Sequence, residues 1–232
     1  MSLLGVLANT LTVLLGGSLG LFCRRGLPEK VTNGVMIGIG LCTLYLGISG
    51  SLACENPLLM IIAVALGAVL GFALDLDRGI NRLGRWVESK FAKRTGAKTS
   101  VAEGFVSASL LFCVGAMTVV GSLEAGLRGD NTTLYTKSLL DLISSLMLAA
   151  SLGPGVLCAG AVVLVGQGAL VLLAGALQPL LPQGAITAMS AVGSLLLVGL
   201  GLNLLGIAKM KVANYLPAIL LAPAVWWLLT LF

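Results

Sequence analysis

Residues 3–22 read LLGVLANTLTVLLGGSLGLF, twenty positions without a charge, and Arg24 and Arg25 follow almost at once. About 20 mostly apolar residues in a helix span about 30 Å of hydrocarbon, so this stretch is long enough to cross a bilayer. It lacks the basic leader and small-residue cleavage site of a secretory signal, so it reads as a retained span. Its positive charges come after the apolar run, which places that end of the span on the cytoplasmic side.

The rest of the chain extends the same reading. Of 232 residues, 58% are hydrophobic and 10% are charged, with a mean hydropathy of +1.06. About a quarter of the residues in a soluble domain are charged, so an ordinary soluble domain is excluded. Apolar stretches of span length fall at 3–22, 32–50, 57–74, 103–120, 134–151, 155–177, 185–206 and 213–231. Each is apolar on all sides rather than alternating with a period of two, which predicts helices and not barrel strands. The expected fold is an all-α polytopic membrane protein with about eight transmembrane helices.

Direction follows from the basic residues. If the first span runs inward, 12 of the 14 lysines and arginines fall on cytoplasmic connections, and only Arg128 and Lys137 are left outside. Both termini are then expected on the periplasmic side.

The chain also repeats. Gly5-Val6-Leu7, Val13-Leu14-Leu15-Gly16 and Leu27-Pro28 recur as Gly155-Val156-Leu157, Val163-Leu164-Val165-Gly166 and Leu181-Pro182. Val31-Thr32 matches Ile186-Thr187, and Asn56-Pro57-Leu58 matches Asn214-Tyr215-Leu216-Pro217. Spans one to three thus correspond to spans six to eight. An offset of five crossings sets the copies in opposite orientations, as in many transporters. The expected organisation is a three-helix repeat (1–75), a cytoplasmic amphipathic connection (76–101), a central two-helix hairpin (102–152) and a second, inverted three-helix repeat (153–232). The connection carries Ile80, Leu83, Val87 and Phe91 at helical spacing among basic residues, which suits the anionic inner leaflet better than nucleic acid. Gly16/Gly20, Gly34/Gly38 and Gly67/Gly71 have the small-xxx-small spacing that lets helices approach closely in lipid.

The central hairpin holds the outer-side charge. The run Gly121-Ser122-Leu123-Glu124-Ala125-Gly126-Leu127-Arg128-Gly129-Asp130-Asn131-Thr132-Thr133 predicts that the fourth span unwinds there, and unwound backbone at membrane depth lines protein or a cavity. In the fifth span, Lys137, Ser138, Asp141, Ser144 and Ser145 form a polar stripe. An ionisable residue inside a span costs about 2.5–3.5 kcal/mol, so Glu124 and Asp141 are candidates for a cation or proton site. Pairing of Asp141 with Lys137 one turn earlier, or of Glu124 with Arg128, is the structural alternative. Asn9, Gln167 and Asn203 stand alone in apolar runs and need partners, either as glue between helices or as lining of a pathway. Glu103, at the start of the fourth span, suits a helix N-terminus.

Other chemistry is not expected. The cysteines at 23, 42, 54, 113 and 158 show no CxxC spacing, so neither a metal site nor a disulfide framework follows. Histidine is absent, and no phosphate-binding loop, HExxH or nucleophile–base pair occurs, which argues against an enzyme, a cofactor and ATP-driven transport.

The runs Cys113–Asp130, Lys137–Asp141, Val163–Gly168 and Gly199–Ile207, above all Gly-Ser-Leu-Glu-Ala-Gly-Leu at 121–127, resemble the YqgA-like bacterial membrane proteins, domain of unknown function 554. The resemblance covers nearly the whole chain. It implies a bacterial inner-membrane protein and adds weight to Glu124, Asp141, Gln167 and Asn203, which lie inside these runs. The expected function is membrane transport of a small solute or cation, coupled to an ion or proton. A passive pore and a structural membrane protein are the alternatives, and homo-oligomerisation stays open.

Overall fold

The computed structural model describes residues 2–24, 29–54, 56–79, 81–82, 101–113 and 116–230. Among them there is no strand. Ten α-helices follow one another: α1 (Leu4–Arg24), α2 (Glu29–Ser51), α3 (Pro57–Leu74), α4 (Val101–Cys113), α5 (Ala116–Leu127), α6 (Thr132–Leu152), α7 (Gly155–Leu172), the short α8 (Ala174–Leu177), α9 (Gln183–Leu204) and α10 (Pro217–Thr230). A further helix begins at 76, but most of the expected amphipathic connection, residues 83–100, lies outside the described residues.

Among the described residues, five units are long and apolar enough to cross a membrane: α1, α3, α7, α9, and α10 together with the 3-10 turn before it. A sixth is counted if α4 and α5 form one span bent by 58° at a break of at most four residues. α2 contributes a shorter apolar segment, Met36–Ser51. α6 is less apolar because it carries the polar stripe.

Large apolar side chains cover the outer faces of the helices as well as the core. On α1, Gly5, Val6, Asn9, Thr10, Val13, Gly16, Gly17 and Gly20 are buried, while Leu4, Leu7, Leu11 and Leu15 are exposed. Small and polar side chains face neighbouring helices because close approach and hydrogen bonding, not hydrophobicity, hold helices together in lipid. α6 follows the same rule: Lys137, Ser138, Asp141 and Ser145 are buried, and Leu139, Leu140, Ile143 and Met147 are exposed.

The glycines set the helix pairs and their directions. α1 runs parallel to α6, with Gly5 beside Asn131 and Leu134, Gly16 beside Leu142 and Ser145, and Gly20 beside Leu146 and Ala149. α1 runs antiparallel to α7, since Gly17 meets Leu157 and Gly160 meets Leu14. α2 is antiparallel to α9 (Gly40 against Leu204, Gly50 against Ser194), and α3 to α10 (Gly67 against Ala218, Gly71 against the Asn214 carbonyl). The α4–α5 unit lies parallel to α7, from Gly155 against Val101 to Gly126 against Val171 and Ala174. Of the three expected glycine pairs, Gly16/Gly20 and Gly67/Gly71 pack helices, whereas a side chain on Gly34 or Gly38 would meet nothing within 4 Å.

Local signals explain the helix boundaries. Asn56 caps α3, its Oδ1 accepting the Leu58 amide at 3.0 Å, with Pro57 at the first helical position, where its missing N–H costs nothing. Asn131 joins the starts of α1 and α6: its Oδ1 accepts the Gly5 amide at 3.0 Å, and its Nδ2 donates to Ser2 Oγ at 2.9 Å. Outside the spans, Asp130 accepts from the Thr132 amide and hydroxyl, and the Thr132 backbone N–H chiefly holds its carboxyl below the usual range.

Candidate functional site

The fourth span corrects the sequence expectation. The helix does not unwind at 121–127: α5 continues through Glu124 to Leu127, and the chain leaves the helix only at 128–131. Gly121 lies against Thr133 and Leu134, and Gly126 against Val171 and Ala174, so these glycines serve close packing. Near the middle of the 101–127 segment, α4 and α5 are bent by 58° relative to one another. There Thr118 Oγ1 donates to the Phe112 carbonyl at 3.0 Å, so a side chain of α5 satisfies a carbonyl at the end of α4.

α6 brings Lys137 and Asp141 together beside this bend. Lys137 Nζ donates to Asp141 Oδ2 at 2.5 Å, and both residues are only 5% exposed. Asp141 is the tenth residue of the 21-residue α6, so the carboxylate stands at mid-length of the helix. Cys113, the last residue of α4, lies within electrostatic reach of both charges. The i, i+4 spacing puts the two side chains on one face, and the orientation of the stripe toward α1 takes them out of contact with lipid.

A second polar pair comes from α1 and α7. Asn9 Nδ2 donates to Gln167 Oε1 at 3.2 Å, and both residues are fully buried. Asn9 on α1 and Asp141 on α6 are both buried where these two helices pack together, which sets the two pairs in the same interior. Asn9 Oδ1 and Gln167 Nε2 have no hydrogen-bond partner in the protein. The cluster therefore offers one free acceptor and one free donor next to an ion pair, a combination that can bind a small polar molecule or pass a proton. An unpartnered buried amide atom costs about 1–3 kcal/mol, so the arrangement is not the cheapest way to fill this space.

The remaining expected site residues divide. Ser145 is buried on the stripe and donates to the Leu142 carbonyl at 3.0 Å; Ser144 is half-buried next to it. Glu124 is also half-buried, and its Oε2 accepts from Thr133 Oγ1 at 2.7 Å, tying α5 to α6 at the turn between them. Asn203 is placed apart, near the end of α9, where it holds the following segment through Met210: Nδ2 to the carbonyl and the amide to Oδ1, both 2.8 Å.

One feature escaped the sequence reading. A cavity of about 280 Å³ opens between the starts of the 76-helix and α4, the end of α9 and the segment before α10, with Asp77, Glu103 and Ser107 in its wall.

Together these features define a helical, polytopic membrane protein with an ion pair and an amide pair buried among its spans. The chain belongs to the family described as protein of unknown function DUF554, which matches residues 4–227. It is 32% identical over 232 residues to the uncharacterized membrane protein YdfK of Bacillus subtilis (strain 168), covering 98% of this chain and 97% of that one. It is 34% identical over 221 residues to the uncharacterized protein YqgA of Escherichia coli (strain K12), covering 94% of each. No solved structure matches it.

Proposed function

We propose that the protein moves a small solute or ion across the bacterial inner membrane by secondary transport, coupled to an ion or proton, with alternating access around the Lys137–Asp141 cluster. The observation that carries this reading is the buried cluster itself. It combines an ion pair at mid-length of α6 with an amide acceptor and donor left unpaired by the protein, beside the bend between α4 and α5. Ionisable groups at membrane depth are costly and mark ion and substrate pathways.

The helix directions support eight crossings. With eight alternating spans, α1 must be parallel to α6 and antiparallel to α7, α2 antiparallel to α9, α3 antiparallel to α10, and α4–α5 parallel to α7. All five relations hold in the packing. The three antiparallel pairs also join the segments that the sequence repeat equates: first with sixth, second with seventh, third with eighth. A pseudo-two-fold axis in the membrane plane would produce that pairing, and it is the geometry in which one unit rocks against the other. The basic residues that follow α1, α3 and α9 support an arrangement with those ends inside and both termini in the periplasm.

Proteoliposomes loaded with pyranine and challenged with panels of amino acids, organic acids and inorganic cations test the reading. Saturable, gradient-dependent flux supports it; flux that rises without saturation, or single-channel currents, would assign a passive pore instead.

A further inference from the structure

We propose that the solute carried at the Lys137–Asp141 pair is a small monoanion that travels with one proton. The anion takes the place of the Asp141 carboxylate on Lys137, and the proton neutralises Asp141. Both roles rest on the transport reading and give its site a substrate class and a coupling ion.

Charge at membrane depth decides what the pair can accept. Among the described residues, Lys137 and Asp141 are the buried charged side chains, one of each sign. Val114 and Gly115, between α4 and α5 in the chain, add no charge. The pair is therefore neutral as a unit. A cation bound at Asp141 would stand beside the ammonium and leave the site positive, and an anion bound at Lys137 alone would leave it negative. Net charge at that depth is costly. An anion and a proton together restore zero, with Lys137 still opposite an anionic oxygen and Asp141 uncharged.

Hydrogen bonding favours an anion as well. An ammonium has three N–H donors and no acceptor. Lys137 Nζ directs one of them at Asp141 Oδ2, and among the described residues it makes no second hydrogen bond. The register of α1 on α6 brings an amide to the same level: Gly5 lies beside Leu134 and Gly16 beside Leu142 and Ser145, so Asn9 falls between them, alongside Lys137 and Asp141. Asn9 Nδ2 bonds Gln167 Oε1, which leaves one acceptor, Asn9 Oδ1, and one donor, Gln167 Nε2. These two balance, so the excess is the donor capacity of the ammonium, which an oxyanion fills with charge-assisted hydrogen bonds. No separate seat is needed while the pair is closed, because the Asp141 carboxylate occupies the position that the solute's anionic group takes once Asp141 is protonated.

Coupling follows from the same count. The closed pair and the fully loaded site are both neutral and can turn from one side of the membrane to the other, whereas the half-loaded forms carry net charge and are held back. A polar line leads to the pair along α6. Thr133, Lys137 and Asp141 follow at four-residue steps, about 6 Å each along the helix, and exposure falls from the half-buried Thr133 to 5% at Lys137 and Asp141. Glu124 of α5 accepts from Thr133 Oγ1 at 2.7 Å and is the carboxylate at the mouth of that line. On the other helices packed against α6, the charged residues Arg24, Glu29, Lys30 and Glu103 stand at helix ends, and the groups within the spans are uncharged thiols and the exposed Tyr45 phenol.

The test uses the purified wild type in sealed liposomes with pyranine inside, given radiolabelled pyruvate, glycolate or gluconate, with sodium, choline and glycine as cation and zwitterion comparisons. Anion uptake set against internal acidification should give one proton per anion. An inward proton gradient should drive accumulation, and a potential clamped with valinomycin should leave it unchanged, whereas movement of one net charge would change accumulation about 50-fold for about 100 mV. Asp141→Asn fixes the neutral form, so it should exchange anion for anion yet lose proton-driven accumulation. That variant leaves Lys137 uncompensated, so at constant ionic strength the transported anion should raise its resistance to dodecyl sulfate more than it raises that of the wild type, a readout independent of flux. Uptake of the cations or of glycine in place of the anions, accumulation that follows the potential, or no preferential stabilisation of Asp141→Asn overturns the proposal and leaves transport standing. Where Asp141→Asn does not fold, the wild-type stoichiometry and potential dependence decide. Absence of saturable flux for every solute overturns the transport reading and this proposal together.

Discussion

Removing one member of the Lys137–Asp141 pair should damage the protein far more than removing both. Each residue is 5% exposed, so neither charge can turn to water if its partner is lost. In Lys137→Met, Asp141 loses the hydrogen bond and the opposite charge that Lys137 Nζ supplies. It can remain charged, at about 3–5 kcal/mol for an uncompensated buried charge. Alternatively it takes up a proton, which for an ordinary aspartate at pH 7 costs 1.36 kcal/mol for each of about 3.1 pH units, or about 4 kcal/mol. The two routes agree, so the expected loss is about 4 kcal/mol. Asp141→Leu strands the ammonium as an uncompensated buried charge and should likewise cost about 3–5 kcal/mol. Lys137→Met combined with Asp141→Leu leaves no buried charge and should lie near the wild type or above it, as replacement of buried ion pairs by apolar residues often does. The assay is unfolding of the purified protein in mixed micelles with increasing dodecyl sulfate, read by tryptophan fluorescence. Single variants within about 1 kcal/mol of the wild type, or a double variant as damaged as the sum of the singles, would refute the reasoning.

The glycine contacts give a matched comparison. Gly16→Val forces a side chain into the Leu142 carbonyl and Ser145 Oγ of α6 and should cost about 1–3 kcal/mol or more. Gly34→Ala points into open space and should stay within about 0.5 kcal/mol in the same unfolding assay. Equal effects would show that α1 and α6 do not approach as described. Asn203→Ala removes both hydrogen bonds to Met210, about 1 kcal/mol each, so trypsin should cut after Lys209 and Lys211 roughly tenfold faster or more. An unchanged cleavage rate would mean that Asn203 does not hold this segment.

Sequence and structure agree most closely where a boundary has a chemical signal. The expected span 57–74 coincides with α3, because Asn56 caps the helix and Pro57 starts it. The polar stripe on α6 was readable because Lys137, Ser138, Asp141 and Ser145 share one helical face and leucines the other. The fourth span was misread for an equally physical reason. A glycine that lets helices touch and a glycine that ends a helix look alike in a sequence, and Gly121 and Gly126 prove to be of the first kind. The Asn9–Gln167 pair joins residues 158 positions apart; each amide was a visible anomaly, but the partnership depends on the antiparallel packing of α1 on α7. Asp77 and Glu103 carried no such signal, because one reads as part of a charged connection and the other as a helix-start carboxylate. Only the fold brings them to one cavity.

The central claim is that the buried cluster is a working site and not merely a fastening between helices. The double variant Lys137→Met with Asp141→Leu separates these roles, since it should fold while lacking both charges. Gradient-driven uptake into proteoliposomes, measured for wild type and double variant with whichever solute the panel identifies, is the direct test. Saturable uptake by the wild type that is abolished in the folded double variant is the predicted result; undiminished uptake without either charge would contradict it.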